Sequence, residues 1–267
     1  KPADLVEQLA LAIPSLVISE MLGVPYQDAA FFQEQANKGM SRYATAEESA
    51  QGAGALAKYL ANLVRVKMDE PSEDLVSDLA ERVKNDEISV REAAQLATGA
   101  LIAGHETTAG QIAISIVALL EHPDQLEVIR DTDDPKAIAT AVEELLRYAS
   151  IIQTGQRRIA DEDIEVAGQV IRAGDGIILD VAPANWDARQ FPNPDRLDLR
   201  RDDGPHVAFG YGRHQCVGQQ LARMELQIVL PTLFKRIPDL ELAVPMTDLP
   251  FKHDALAYGL YELPVTW

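Results

Sequence analysis

One cysteine in 267 residues leaves no partner for an intramolecular disulfide, so the chain suits a reducing compartment, the cytoplasm by default. Basic residues are also in short supply: 24 Lys and Arg stand against 42 Asp and Glu, a formal charge of −18. That balance argues against binding to nucleic acid or to anionic membrane surfaces, both of which reward positive charge. No apolar run reaches the ~20 residues needed to cross a bilayer. The opening stretch KPADLVEQLA lacks the charged-then-apolar pattern of a signal peptide. Internal repeats and low-complexity tracts are missing as well. What is present is 47% hydrophobic residues, enough core for one large globular domain, expected over 1–267.

Helical periodicity dominates. Residues 4–22 place Leu5, Val6, Leu9, Ile13, Leu16 and Val17 at helical spacing, with a kink expected at Pro14 and an end at Gly23 and Pro25. Residues 28–42 and 46–69 read as two more helices, and a shorter one is expected from Ser72 to about Val83. Ser89 and Glu92 form a capping box at the head of a helix of about 32 residues ending at His122-Pro123. Its nearly all small or apolar second half marks a helix buried on most sides. Asp134 and Pro135 supply an N-cap and first residue for a helix ending near Tyr148. From 156 to 182, alternation and Gly/Asp turns indicate strands. Residues 184–215 are irregular, a last amphipathic helix runs from about Gly218 to Arg236, and the tail is strand-like.

The cysteine lies in FGYGRHQCVG at 209–218. A solitary cysteine is most often an inert small hydrophobe. Here Gly210, Gly212 and Gly218 surround Cys216, so the backbone can approach a flat ligand closely. A helix starting just after it turns N–H groups toward the sulfur and favours thiolate. Phe209 can stack under a ring, while Arg213 and His214 offer donors to carboxylates.

A second stretch, Ala103-Gly104-His105-Glu106-Thr107-Thr108, puts polar groups inside the long apolar helix, where they are costly unless satisfied. Gly104 weakens the helix by roughly 1 kcal/mol relative to Ala, consistent with a local distortion that admits a ligand. A zinc-protease reading fails, because H-E-x-x-H requires histidine where Ala109 stands. Glu144 and Arg147 in AVEELLRY are spaced i,i+3, a pair worth about 0.2–0.5 kcal/mol on an isolated helix. The fourth stretch is ANWDARQFPNPDRLDLRR at 184–201.

In this order and with these gaps, the four stretches resemble the cytochromes P-450, whose pattern F-x-x-G-x-x-x-C-x-G is met at 209–218. The resemblance extends over essentially the whole chain. It is greatest to soluble bacterial members, through LIAGHETTAG, AVEELLRY, AFGYGRHQC and LPVTW. It implies the C-terminal two thirds of that fold, mainly α with small β-sheets. It implies a heme-thiolate monooxygenase that holds heme b through Cys216, the axial thiolate favouring O–O cleavage.

By the same resemblance, Ala103 and Gly104 lie across the heme face. Thr107 hydrogen-bonds dioxygen, and Glu106 relays protons. Arg158, in better register than Arg157, and His214 bind the propionates, while Phe209, Gly210 and Gly218 shape the cysteine loop. Glu144, Arg147 and Arg196 (in the box Pro194-Asp195-Arg196-Leu197) form a structural triad. The pocket is expected to include Ser150–Thr154 and the turn at Ala257-Tyr258. The apolar Ile151, Ile152 and Ala257 imply an apolar small-molecule substrate.

Electrons would come from a nicotinamide through a ferredoxin, since no flavin or nucleotide motif occurs. From 196 to 236, Arg196, Arg200, Arg201, Arg213, Arg223, Lys235 and Arg236 outnumber Asp198, Asp202, Asp203 and Glu225, a face expected to steer an acidic ferredoxin. A monomer is expected, without nucleic acid or membrane as partner. Family members are longer at the N-terminus, so a segment before Lys1 carrying the first strands, a substrate loop and further propionate ligands is also expected. Two rivals fare worse. A cysteine hydrolase built on Cys216 and His214 lacks an orienting acid, and a heme carrier without turnover has no use for Glu106 and Thr107.

Overall fold

The computed structural model describes residues 2–40 and 45–267. The segment read as one helix over 4–22 begins instead with a strand, β1 (Ala3–Asp4), paired antiparallel with the last strand, β7 (Pro264–Thr266). β7 also pairs with β6 (Glu241–Leu242). Asp4 secures this junction: its Oδ1 accepts the N–H of Val6 at 2.9 Å and of Leu263 at 2.8 Å. A π-helical turn over Val6–Ala10 follows, then α1 (Ala12–Leu22).

Pro14 falls in the first turn of α1, where its missing N–H is harmless. The wide turn before it, closed by the Leu11 N–H on the Val6 carbonyl at 2.9 Å, takes the place of the expected kink. Gly23 ends α1 in the left-handed conformation at φ 68°, as its position after the periodic run suggests.

α2 (Ala29–Met40) fills most of the helix expected over 28–42, whose last two residues lie outside the described ones. α3 (Ala46–Asp69) starts at a capping box made by Thr45 and Glu48. α4 (Leu75–Lys84) starts three residues later than expected, because Asp74 is its N-cap and accepts the Ser77 N–H at 2.8 Å. α5 (Val90–Glu121) has the Ser89–Glu92 capping box and runs unbroken for 32 residues. His122-Pro123 both stops α5 and opens α6 (Pro123–Arg130), a helix the sequence reading lacks. α7 (Pro135–Tyr148) is capped by Asp134.

Two hairpins follow: β2 (Gln156–Ile159) pairs with β5 (Gly176–Leu179), and between them β3 (Ile164–Val166) pairs with β4 (Gln169–Ile171). α8 (Val181–Asn185) leads into the irregular stretch, and α9 (Gln219–Arg236) follows the cysteine loop.

α5 serves two apolar cores. Ala93, Ala97 and Leu101 pack in one with Ile18, Leu22, Leu56, Leu60 and Val76. Ile112, Ile116 and Leu119 pack in the other with Leu145, Leu226, Leu230 and Phe234. Between them lie the buried polar residues His105, Glu106 and Thr108. Further along α5 the buried Gln111 and Ser115 satisfy each other, Gln111 Nε2 donating to Ser115 Oγ at 3.2 Å.

Candidate active site

The cysteine loop is a tight reversal. Gly210 (φ 73°) and Gly212 (φ 81°) occupy the left-handed region, where a side chain would be strained. The Cys216 N–H closes the loop on the Phe209 carbonyl at 2.9 Å. α9 begins behind Gly218, which has no side chain to cap it, so no side chain competes for the helix's first N–H groups. The thiol is exposed rather than sunk in the core.

Cys216 lines a cavity of about 740 Å³ of atom-free space, its open mouth included. Thr107, Thr108 and Gln111 of α5 line it too, with Leu146, Ile151, Ile152, Gln156, Ala208, Phe209, His214, Ala222 and Leu226. Its walls are mostly apolar.

The loop is fastened from behind. The Arg223 guanidinium lies 4.6 Å from the centre of the Phe209 ring and binds Glu143 at 2.6 and 2.9 Å. Glu143 also meets His206 Nε2 at 3.1 Å, and His206 Nδ1 accepts the Ala208 N–H at 3.1 Å. Burial pushes the Glu143 carboxyl up, but the bonds from His206 and Arg223 and the Arg223 charge outweigh it and hold the group at about 2. Arg223 is therefore a loop support and not the free surface cation that the count over 196–236 assumed. Lys235 is paired with Asp133 at 2.6 Å, and Arg201 is internal. Arg196, Arg200, Arg213 and Arg236 remain exposed.

The expected triad forms with one substitution. Arg147 grips Glu144 with two bonds, at 2.7 and 2.9 Å, and donates to the carbonyls of Asn185 and Pro194. The third member is Arg201, whose Nε reaches Glu144 Oε1 at 3.1 Å; Arg196 is exposed. Leu197 and Leu199 are buried, and the turn closed by the Arg201 N–H on the Asp198 carbonyl at 2.9 Å returns Arg201 to Glu144, while Arg196 and Arg200 are exposed. Asn185, fully buried, joins this network to the cavity side through Ser150 Oγ at 2.8 Å and the Val207 N–H at 2.8 Å.

At the middle of α5, Thr107 lines the cavity and donates to the Ala103 carbonyl at 2.5 Å. Ala103 is exposed one turn earlier and Gly104 is not in the lining. Nor is the helix distorted at Gly104. The absent side chain makes room for α1, since a Cβ there would lie 2.9 Å from Ile18 Cδ1. Glu106 is buried and turned away from the cavity lining: Oε2 is 3.3 Å from Lys252 Nζ, and Oε1 has no hydrogen-bond partner among the described residues. His105 Nε2 meets Ser15 Oγ at 2.8 Å. Burial lowers the His105 pKa; the Glu106 charge opposes this and the Lys252 charge adds to it.

Of the expected pocket segments, Ile151 and Ile152 line the cavity, but Ser150 faces Asn185, and Ala257-Tyr258 stays behind the wall, with the Tyr258 N–H on the Ile151 carbonyl at 2.8 Å. Arg158 lies on the Gln156 side of β2, bonded to Gln156 Oε1 at 2.9 Å, whereas Arg157 points the other way. Gln111, missed in the sequence, stands one turn beyond Thr107, and that i,i+4 spacing was its available signal. Among the described residues no cluster of His, Cys, Asp and Glu could hold a bare metal ion. A thiol on an apolar cavity therefore fits a metal only if the metal brings its other ligands with it. Iron in a flat organic ring meets that requirement; His214 is on the cavity wall, and Arg158, outside the lining, is bonded to Gln156, which belongs to it.

The cytochrome P-450 family model matches residues 130–238. The chain is 65% identical over 268 residues to cytochrome P-450 CYP105Q4 of Mycobacterium marinum, and 52% identical over 269 residues to cytochrome P-450 GfsF of Streptomyces halstedii. It is matched over its whole length in both, and spans 65% of the length of each. The crystal structure of GfsF superposes with a TM-score of 0.93 at 52% identity, covering 100% of this chain and 68% of that one. No helix among the described residues is long and apolar enough to cross a membrane.

Proposed function

The chain belongs to the cytochrome P-450 family, and from that premise we propose that it is the catalytic part of a heme-thiolate monooxygenase with Cys216 as the iron ligand. The observation that carries this is the cavity itself: Cys216, the chain's single cysteine, and the mid-helix Thr107 line one mostly apolar space. Bound heme would supply the activation of dioxygen that no side chain here can perform.

The chain's own residues do the rest. The Gly210–Gly212 reversal and the Cys216 N–H bond fix the thiol at the head of α9. Ile151 and Ile152 exclude water and select an apolar substrate. Thr107 can release the Ala103 carbonyl and offer its hydroxyl to the cavity, and Glu106 holds protons one residue away. His214 and Arg158 meet the acidic edge. Electrons arrive from a ferredoxin-type donor that docks near the exposed Arg213, in the cytoplasm.

The test is the difference spectrum of the reduced protein with carbon monoxide. Wild type is expected to show the red-shifted Soret band of a thiolate-ligated heme, and Cys216→Ser to lose it. A Cys216→Ser protein that kept the band would end the proposal.

A further inference from the structure

α3 and the first half of α5 pack through Leu56, Leu60 and Val64 on one side and Ala93 and Ala97 on the other. Beside that seam the two helices leave a groove of about 770 Å³ of atom-free space, its open mouth included. Lys58 and Arg65 of α3 line it, with Arg91 and Gln95 of α5, and the small Ala61 and Ala94 leave it unfilled. It shares no lining residue with the cavity at Cys216. In a chain of 24 Lys and Arg against 42 Asp and Glu, a concave surface with three cations and no carboxylate is an exception. All three cations are exposed, and none has an acidic partner among the described residues. Lys58 and Arg91 make no side-chain hydrogen bond there, while Arg65 Nη1 donates only within its own helix, to the Ala61 carbonyl and Asn62 Oδ1 at 3.2 Å each. Glu92, the acid next to Arg91 in the chain, is engaged elsewhere: its Oε2 accepts the Ser89 N–H at 2.8 Å and the Ser89 hydroxyl at 2.7 Å.

We propose that this groove binds an oligophosphate, a chain of phosphate groups laid along α3 from Lys58 to Arg65 and held from across the groove by Arg91. Charge, shape and donor type point the same way. Three like charges around one concavity repel one another, and a ligand with three or more negative charges removes that repulsion. Lys58 and Arg65 are seven residues apart on one helix, roughly 10 Å along its axis, so an extended anion spans them and a compact one does not. Two of the three cations are arginines, whose planar guanidinium meets two phosphate oxygens at once. Gln95 adds an amide donor on the α5 side. The site stands apart from the monooxygenase reading, since the cavity at Cys216 is mostly apolar and offers an oligophosphate no comparable set of cations.

The experiment is isothermal titration of the full-length protein at low ionic strength, without divalent cations. The probes are sodium tripolyphosphate, orthophosphate, citrate and ATP. Tripolyphosphate is expected to bind at a single site, about tenfold tighter than orthophosphate or the compact trianion citrate. ATP should match tripolyphosphate, because the groove reads the phosphates. Lys58→Gln, Arg65→Gln and Arg91→Gln should each weaken binding about fivefold, and the triple variant should abolish it. Lys136→Gln, which removes an exposed cation on α7, should bind as wild type does. All of these side chains are on the surface, and overlaid circular dichroism spectra check that each variant is folded. Citrate binding as tightly as tripolyphosphate overturns the phosphate class, and so does binding of ATP alone. A triple variant that still binds overturns the site. Equal losses in Lys136→Gln and the groove variants reduce the effect to general charge screening and overturn it as well, as does no binding by the wild type.

Discussion

Two buried carboxylates, Glu144 and Glu106, sit on neighbouring helices and are treated in opposite ways. Glu144 is saturated: two bonds from Arg147, one from Arg201 and one from the Asp198 N–H use both its oxygens. The cations that hold it are in turn bonded to backbone carbonyls of the irregular stretch, at Pro194 and Pro192. Glu106 has, among the described residues, a single ion pair at 3.3 Å and one oxygen with no hydrogen-bond partner. A closed network in a low-dielectric interior is rigid, and an open one is poised to rearrange. The difference leaves the first holding the cysteine side of the molecule in place, and it is compatible with the relay role proposed for the second.

The largest expected effect breaks the closed side. Glu144→Gln leaves Arg147 and Arg201 without their counter-charge in the interior, at a cost of about 3–5 kcal/mol in denaturant unfolding. A loss under about 1 kcal/mol would mean that the network is not what holds this region. Next in size is a paired test of which arginine completes it. Arg201→Ala should cost about 2 kcal/mol through the Glu144 bond and the carbonyls of Pro192 and Asn193, whereas Arg196→Ala should stay within about 0.5 kcal/mol. Equal effects would restore Arg196 to the triad.

The smallest concerns Glu225 on α9, the other buried carboxylate with an unpartnered oxygen among the described residues. Burial raises its pKa from 4.5 to about 7. A raised carboxyl favours the folded state fully below 4.5, and that contribution is lost as pH rises through about 7. Glu225→Gln should flatten the stability profile between those values and add on the order of 1 kcal/mol at pH 8. A profile with the wild-type slope would show that this carboxyl finds a partner in solution.

The cysteine loop, the capping box of α5, the Asp134-Pro135 start of α7 and the Glu144–Arg147 pair were all legible in the sequence. Each is decided by residues within a few positions of one another, where propensity and spacing act directly. The same held for the mainly α class, since apolar periodicity is local information. What the sequence could not decide depends on contacts between distant segments. Arg201 displaced Arg196 because the buried side of 197–201 is set by the core it faces. Gly104 is small for the sake of Ile18, and Gly110 for the sake of Tyr258, each far away in the chain. The opening strand at Ala3–Asp4 exists only because residues 263–265 lie beside it. Arg223 and Lys252 were two more charges in an acidic chain until the fold placed one over Phe209 and the other against Glu106. Residue type and spacing determined which chemistry this chain could carry. Burial and long-range docking decided which oxygens are satisfied and which are left free to act, because the cost of a polar group is a property of its surroundings.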